Sequence, residues 1–100
     1  MFELCKESEL KENEPIECDG PDGKPLVVVL SAGKIYVAQG ICPHQEAPLA
    51  DGDVADGELT CCLHFWSWRL ADGTPLDDET EAPIKVYPVR VEDGAVFLDN

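Results

Sequence analysis

Basic side chains are scarce in this chain: seven Lys and Arg stand against 21 Asp and Glu, for a formal charge of −14. Nucleic acid and anionic membranes repel such a surface, so neither is expected as a partner. Proteins with basic docking patches are expected instead, although the same charge also serves plain solubility. Long apolar runs are missing too, and nothing approaches the roughly 18–20 residues of a membrane span. The opening "MFELCKESEL" turns acidic at once and shows no leader pattern. These absences predict a soluble, cytoplasmic protein. Helical periodicity is nearly absent; only "KESELKEN" (6–13) offers a turn or two before Pro15. Five cysteines, an odd number, argue against a fully paired disulfide framework. Histidine occurs only twice, as His44 and His64.

What is present is turn and strand signal. Asp-Gly recurs at 19–20, 22–23, 51–52, 56–57, 72–73 and 93–94, where it supplies the positive φ that tight turns need. Between these turns lie β-prone runs: "PLVVVL" (25–30), "KIYVAQ" (34–39), "ELTC" (58–61), "FWSWRL" (65–70), "VYPVRV" (86–91) and "AVFLD" (95–99). The first is continuously apolar and reads as a buried strand. Gly33 suits a bulged hairpin between the first two, and Glu92-Asp93-Gly94 turns the last two into a C-terminal hairpin. Many short strands predict an all-β antiparallel sandwich or small barrel, with 1–100 as one domain.

Both histidines stand beside cysteines. The pattern is Cys42-x-His44, sixteen residues, then Cys61-x-x-His64. Four soft or borderline donors on two loops point to a metal site. A Cys2His2 zinc tetrahedron is one candidate, although zinc spacings usually pair like with like. Mixed loops also suit a [2Fe–2S] rhomb, in which each iron takes two protein ligands: a cysteine from each loop on one iron, a histidine from each on the other.

As "CPH…CCLH", this pattern is the signature of Rieske proteins, and the chain resembles that family over most of its length. The resemblance implies a Rieske fold with a two-loop cluster-binding subdomain at about 41–70. It implies one [2Fe–2S] cluster per chain, with Cys42 and Cys61 on the inner iron and His44 and His64 on the outer. Neutral histidines in place of thiolates make reduction easier, and Rieske potentials span roughly −150 to +300 mV. With every coordination position filled the expected role is one-electron transfer, not catalysis.

High-potential members carry a disulfide between the loops, at positions that here are Ala47 and Leu63. Cys62 lies one place from the second position and has no partner in the first loop. Those members also place a serine where this chain has Trp66. A low potential is therefore expected. The closing "APIKVYPVRVEDGAVFL" is similar to the ends of soluble Rieske ferredoxins that serve bacterial oxygenases. "CPHQE" with Trp66 resembles the ferredoxin of toluene-type diiron monooxygenases, whereas "LHF" is closer to dioxygenase ferredoxins. The resemblance implies a flavin-containing NAD(P)H reductase as electron source and a terminal mono- or dioxygenase of aromatic or hydrophobic compounds as acceptor. A monomer is expected. Three rivals stand beside it: a structural zinc module, a detached Rieske domain of an oxygenase, and a small subunit of an assimilatory nitrite reductase.

Other residues carry paired readings. Gln45 is a docking or iron-side residue, or a solvated amide. Trp66 shields the cluster or packs the core, while Trp68 packs the core. Pro83 covers the cluster or makes an ordinary turn. Glu46, Asp51, Asp53, Asp56 and Glu58 guide a basic partner or form a solvated loop. Cys5 and Cys18 are expected to be buried and inert, and Cys62 to point away from Cys61.

Overall fold

The computed structural model describes residues 2–43, 47–62, 66–80 and 82–99. In chain order its strands are β1 (Phe2–Lys6), β2 (Ile16–Asp19), β3 (Pro25–Ser31), β4 (Lys34–Gln39), β5 (Asp53–Ala55), β6 (Glu58–Thr60), β7 (Ser67–Arg69), β8 (Val86–Tyr87), β9 (Val89–Glu92) and β10 (Ala95–Leu98). They form three antiparallel sheets, ordered β1-β10-β9, β2-β3-β4-β8 and β5-β6-β7. The all-β expectation holds. The only helical pieces among the described residues are short 3₁₀ turns at Glu7–Glu9 and Leu49–Asp51. None is long and apolar enough to cross a membrane.

β3 explains its own sequence. Leu26 and Val28 face one apolar cluster, with Val37, Val96 and Leu98. Val27 and Val29 face a second, with Leu49, Leu59, Trp68 and Ile84. A strand buried on both faces has no polar side to alternate with, hence its unbroken apolar run. β4 repeats the division: Val37 joins the first cluster and Ala38 the second.

The turns correct several expectations. The β3–β4 link has two residues, Ala32 and Gly33, both at positive φ (53° and 77°), with Ser31 opposite Lys34. That is the tight primed hairpin that suits strand twist, not a bulged one. Asp56-Gly57 and Asp93-Gly94 do the same for β5–β6 and β9–β10. At 51–52 the glycine is needed for another reason. Gly52 has φ −84°, but a Cβ there would collide with the carbonyl oxygen of Thr60.

The run 86–91 is two strands. β8 pairs with β4 while β9 pairs with β10, and Pro88, which lacks an N–H, separates them. Of the run 65–70, Phe65 lies outside the described residues and Ser67–Arg69 is strand. β1, β2 and β5 were not among the expected strands because each is short and sets charged residues between or beside its apolar ones, which leaves no apolar run.

Cys5 on β1 is buried and Cys18 on β2 half-buried, within hydrogen-bonding reach of each other at the seam of two sheets. Burial, then the neighbouring Cys18 and Glu9, pushes the Cys5 thiol up to about 12. Burial raises Cys18 as well. A thiol shifted upward in this way is very little ionised at pH 8, and thiolate is the nucleophile.

Two outcomes are expected. Iodoacetamide at pH 8 should label exposed Cys62 in the folded holoprotein well before Cys5 or Cys18; equal labelling by peptide mass mapping would contradict the inert pair. Leu59→Ala should cost about 2–5 kcal/mol and lower the melting midpoint by about 8 °C or more, since Leu59 is fully buried between the sheets. Val91→Ala, at a residue 40% exposed, should barely move it in the same calorimetric scan.

Candidate metal centre

Cys42 and Cys61 stand at the feet of two loops built to one plan. The Cys42 N–H donates to the Ala47 carbonyl at 2.8 Å, and the Cys61 N–H to the Trp66 carbonyl at 2.7 Å. One step outward, Ile41 pairs with Pro48, and Thr60 pairs with Ser67. Each loop is thus the tip of an antiparallel ladder, with its cysteine and the residue five places on as the closing pair. The two expected histidines fall inside these tips in the sequence. His44, Gln45 and Glu46, and likewise Leu63, His64 and Phe65, lie outside the described residues.

The feet are held rigidly. β4 runs through Gly40 into the first loop, and the Leu49 N–H donates to the Gly40 carbonyl at 2.7 Å. A Cβ on Gly40 would meet the Pro25 backbone at 2.8 Å, so only glycine lets the chain cross β3 so closely here. The second loop stands on β6 and β7. Both cysteines are almost fully buried, at 1% and 0% exposure, in one apolar cluster with Ala47, Leu49, Trp66 and Trp68. A thiolate in such surroundings carries an uncompensated charge unless a cation takes it up. Two buried soft donors on matched loops therefore fit an iron–sulfur cluster, with the deeper side of the site on sulfur.

Trp66 and Trp68 share the inward face of the second ladder. Both are buried, their rings meet edge to face with centroids 6.4 Å apart, and Arg69 points to solvent. This alternation is that of an extended strand. Trp66 occupies the closing position of loop two that Ala47 occupies in loop one, which places it against the cysteine cluster.

The segment that follows was missed by sequence reasoning. Asp77 Oδ1 accepts from the Thr80 hydroxyl at 2.8 Å and from the Thr80 N–H at 2.9 Å. Thr80 Oγ1 in turn accepts the Ser67 N–H at 2.9 Å, and the Ser67 hydroxyl donates to Asp77 Oδ2 at 3.3 Å. The Trp68 indole N–H donates to the Ala82 carbonyl at 2.8 Å. Residues 77–80 and 82–84 thus form a strap clamped onto β7 directly after loop two, with Thr80 and Ile84 buried. The Thr80 bonds hold the Asp77 carboxyl below the usual range. A depressed carboxyl contributes its stability above the ordinary carboxylate range and loses it as pH falls through the folded value. Asp followed three residues later by Thr was the available signal, a turn in which the carboxylate takes the later N–H. Pro83, at the crest of the strap, is exposed, while its neighbours Ala82 and Ile84 pack into the cysteine cluster.

Among the acidic residues between the loops, Asp51, Asp53, Asp56 and Glu58 are all exposed. Glu46 lies outside the described residues. Cys62 is exposed while Cys61 is buried, so the two do point apart.

Known proteins agree with this architecture. Residues 1–88 match the model of the Rieske [2Fe–2S] domain. The chain is 39% identical to the methanesulfonate monooxygenase ferredoxin subunit of Methylosulfonomonas methylovora, over 94% of this chain and 76% of that one. It is 31% identical to the ferredoxin component of the p-cumate 2,3-dioxygenase system of Pseudomonas putida, over 96% and 82%. Among solved structures, the Sphingomonas yanoikuyae B1 ferredoxin superposes with a TM-score of 0.91 at 31% identity, covering 99% of this chain and 97% of that one. The chain therefore belongs to the Rieske [2Fe–2S] domain family, as a [2Fe–2S] ferredoxin of the electron-carrying, non-catalytic kind found in oxygenase systems.

Proposed function

We propose that this ferredoxin accepts single electrons from a flavin-containing NAD(P)H reductase and delivers them to a terminal oxygenase of aromatic or other hydrophobic compounds. It does so as a cytoplasmic monomer. Residues 1–100 act as one Rieske domain, with 41–70 as its cluster-binding part. The observation that carries the reading is the pair of matched loops, each with a buried cysteine at its foot.

In this reading Cys42 and Cys61, as thiolates, hold the inner iron, and His44 and His64 hold the outer one. When bound, the cluster supplies a one-electron couple with no open coordination position. The chain's own part is to hold, shield and orient. The ladders beneath Cys42 and Cys61 fix where the sulfur ligands stand. Trp66, Leu49 and Ala47 keep water from the sulfur side, which leaves the histidine side as the exit for the electron. The strap at 77–80 and 82–84 buttresses the second loop, and Pro83 on its crest serves to meet either a partner or the cluster. Gln45, next to His44, serves the same outer side. Mutations that strip this packing change potential without changing ligands.

The zinc alternative gives way to the family match, since Rieske ferredoxins carry a [2Fe–2S] cluster. The oxygenase systems of the two relatives favour this role over that of a nitrite reductase subunit. One of these systems is a monooxygenase and the other a dioxygenase, so either chemistry suits the acceptor.

The ligand set is tested by His64→Ala, purified without oxygen. It should lose the Rieske absorption and EPR signature together with most iron and acid-labile sulfide, while a normal Rieske spectrum would overturn the assignment. The exposed acidic residues bear on the partner. Reduction by the reductase, followed by stopped flow under second-order conditions, should slow as salt rises from about 20 to 300 mM, because screening weakens long-range steering. A flat profile would remove steering from the account.

A further inference from the structure

A groove of about 300 Å³ opens beside the first ligand loop. Its apolar floor and walls come from Pro25, Leu26, Gly40, Ile41 and the Tyr87 ring, and Lys24 stands on its rim. Lys85 is tied to the same place. Its ammonium lies 5.4 Å from the centroid of the Tyr87 ring. Its backbone N–H donates to Gln39 Oε1 at 2.7 Å, while Gln39 Nε2 donates to the Ile41 carbonyl at 2.8 Å. The groove thus runs from two lysines to the residue immediately before Cys42.

Lys6, Arg69 and Arg90 each contact a nearby carboxylate, at distances between 3.1 and 3.8 Å. Lys24 and Lys85, like Lys11 and Lys34, make no ion pair among the described residues, but of these four only Lys24 and Lys85 stand at the groove. One carboxylate, the exposed Asp22, also lines the groove, and its Oδ1 accepts the Lys24 backbone N–H at 3.0 Å. The ring beneath Lys85 steadies its ammonium without neutralising it. A net acidic surface therefore presents two lysines, Lys24 on the groove and Lys85 over its Tyr87 wall, beside an apolar slot next to the loop that carries half the expected ligands.

We propose that this groove seats a segment of the terminal oxygenase that carries an apolar side chain followed by a carboxylate. The apolar side chain fills the slot over Leu26 and Ile41, and the carboxylate meets Lys24 and Lys85. This deepens the reading of the chain as an oxygenase electron carrier and rests on it. The acidic surface draws a basic partner from a distance but does not orient it. A local patch of opposite sign fixes the register in which the first loop meets the acceptor.

The test uses charge reversal, because overall steering and local docking then predict opposite signs. The wild-type holoprotein is reduced without oxygen and mixed with its oxidised cognate oxygenase below saturation, and the second-order rate of electron transfer is followed by stopped flow. The variants are Lys24→Glu, Lys85→Glu and, as control, Lys34→Glu. Lys34 opens β4, about 17 Å from the groove at the strand's other end. All three lysines are exposed, so each variant should keep the wild-type cluster spectrum. Docking predicts a fall of about tenfold for Lys24→Glu and for Lys85→Glu, with Lys34→Glu within about twofold of wild type. Equal effects at all three positions, or faster transfer by the groove variants, would overturn the proposal. A wild-type protein with an intact cluster that never reduces the oxygenase would instead overturn the electron-carrier reading, and the groove's role with it.

Discussion

The two-sided burial of β3 is the constraint on which the other elements depend. Leu26 and Val28 close the cluster beneath the β1-β10-β9 sheet, while Val27 and Val29 close the one that contains the cysteine feet. Each such side chain contributes roughly 1.5–3 kcal/mol by leaving water. Three successive valines cannot, however, tell one face from the other, and a slip of one residue would exchange the two cores. Register has to come from the strand's ends. At one end Ser31, fully buried, donates its hydroxyl to Asn13 Oδ1 at 2.7 Å and accepts the Gly57 N–H at 2.9 Å. At the other, Gly40 crosses against the Pro25 backbone and donates its N–H to the Pro25 carbonyl at 3.0 Å.

Those two pins also join the ligand-bearing part to the rest. Ser31 reaches the β5–β6 turn through Gly57, and Leu70 donates back to the Gly57 carbonyl at 2.9 Å, so the sheet under loop two is anchored to the central one. Gly40 sets where loop one leaves β4. Cysteine placement follows from strand register and not from loop conformation, which suits a redox carrier whose geometry must change little between oxidation states. The strap adds a third point of fixation, since Ser67 is held by Thr80 and Asp77 at the residue where loop two ends.

How far this could be read from sequence differed by element, for physical reasons. The family was legible because coordination chemistry restricts both residue type and spacing in Cys42-x-His44 and Cys61-x-x-His64. β3, β4 and the last hairpin were legible because their apolar content and turn residues are local. β1 and β2 were not: each contributes one face to a core, and their charged outward residues leave no run to recognise. The division of 86–91 between two sheets turns on the missing N–H of one proline, Pro88, and on tertiary partners that no local pattern encodes. Pairing of Cys5 with Cys18 was invisible for the same reason, since β1 and β2 meet only across the sandwich. The strap was legible in part, through Asp77 and Thr80, but its clamping of Ser67 was not.

Charge completes the account of why an electron carrier should look like this. A formal charge of −14 on 100 residues produces a strong but poorly directed field, because acidic side chains are distributed along the chain from Glu3 to Asp99. Such a field raises encounter rates and falls off within a Debye length of roughly 8–10 Å in ordinary salt. Orientation must then be decided at contact, by features whose sign and shape differ from their surroundings. Exposed ion pairs such as Arg69–Asp72 offer little there, because each is already locally neutral and its net strength is small. The groove beside Ile41 differs on both counts, with an apolar slot and two lysines that form no ion pair among the described residues. Long-range attraction and short-range selection are thus carried by side chains of opposite charge, so one can change without weakening the other.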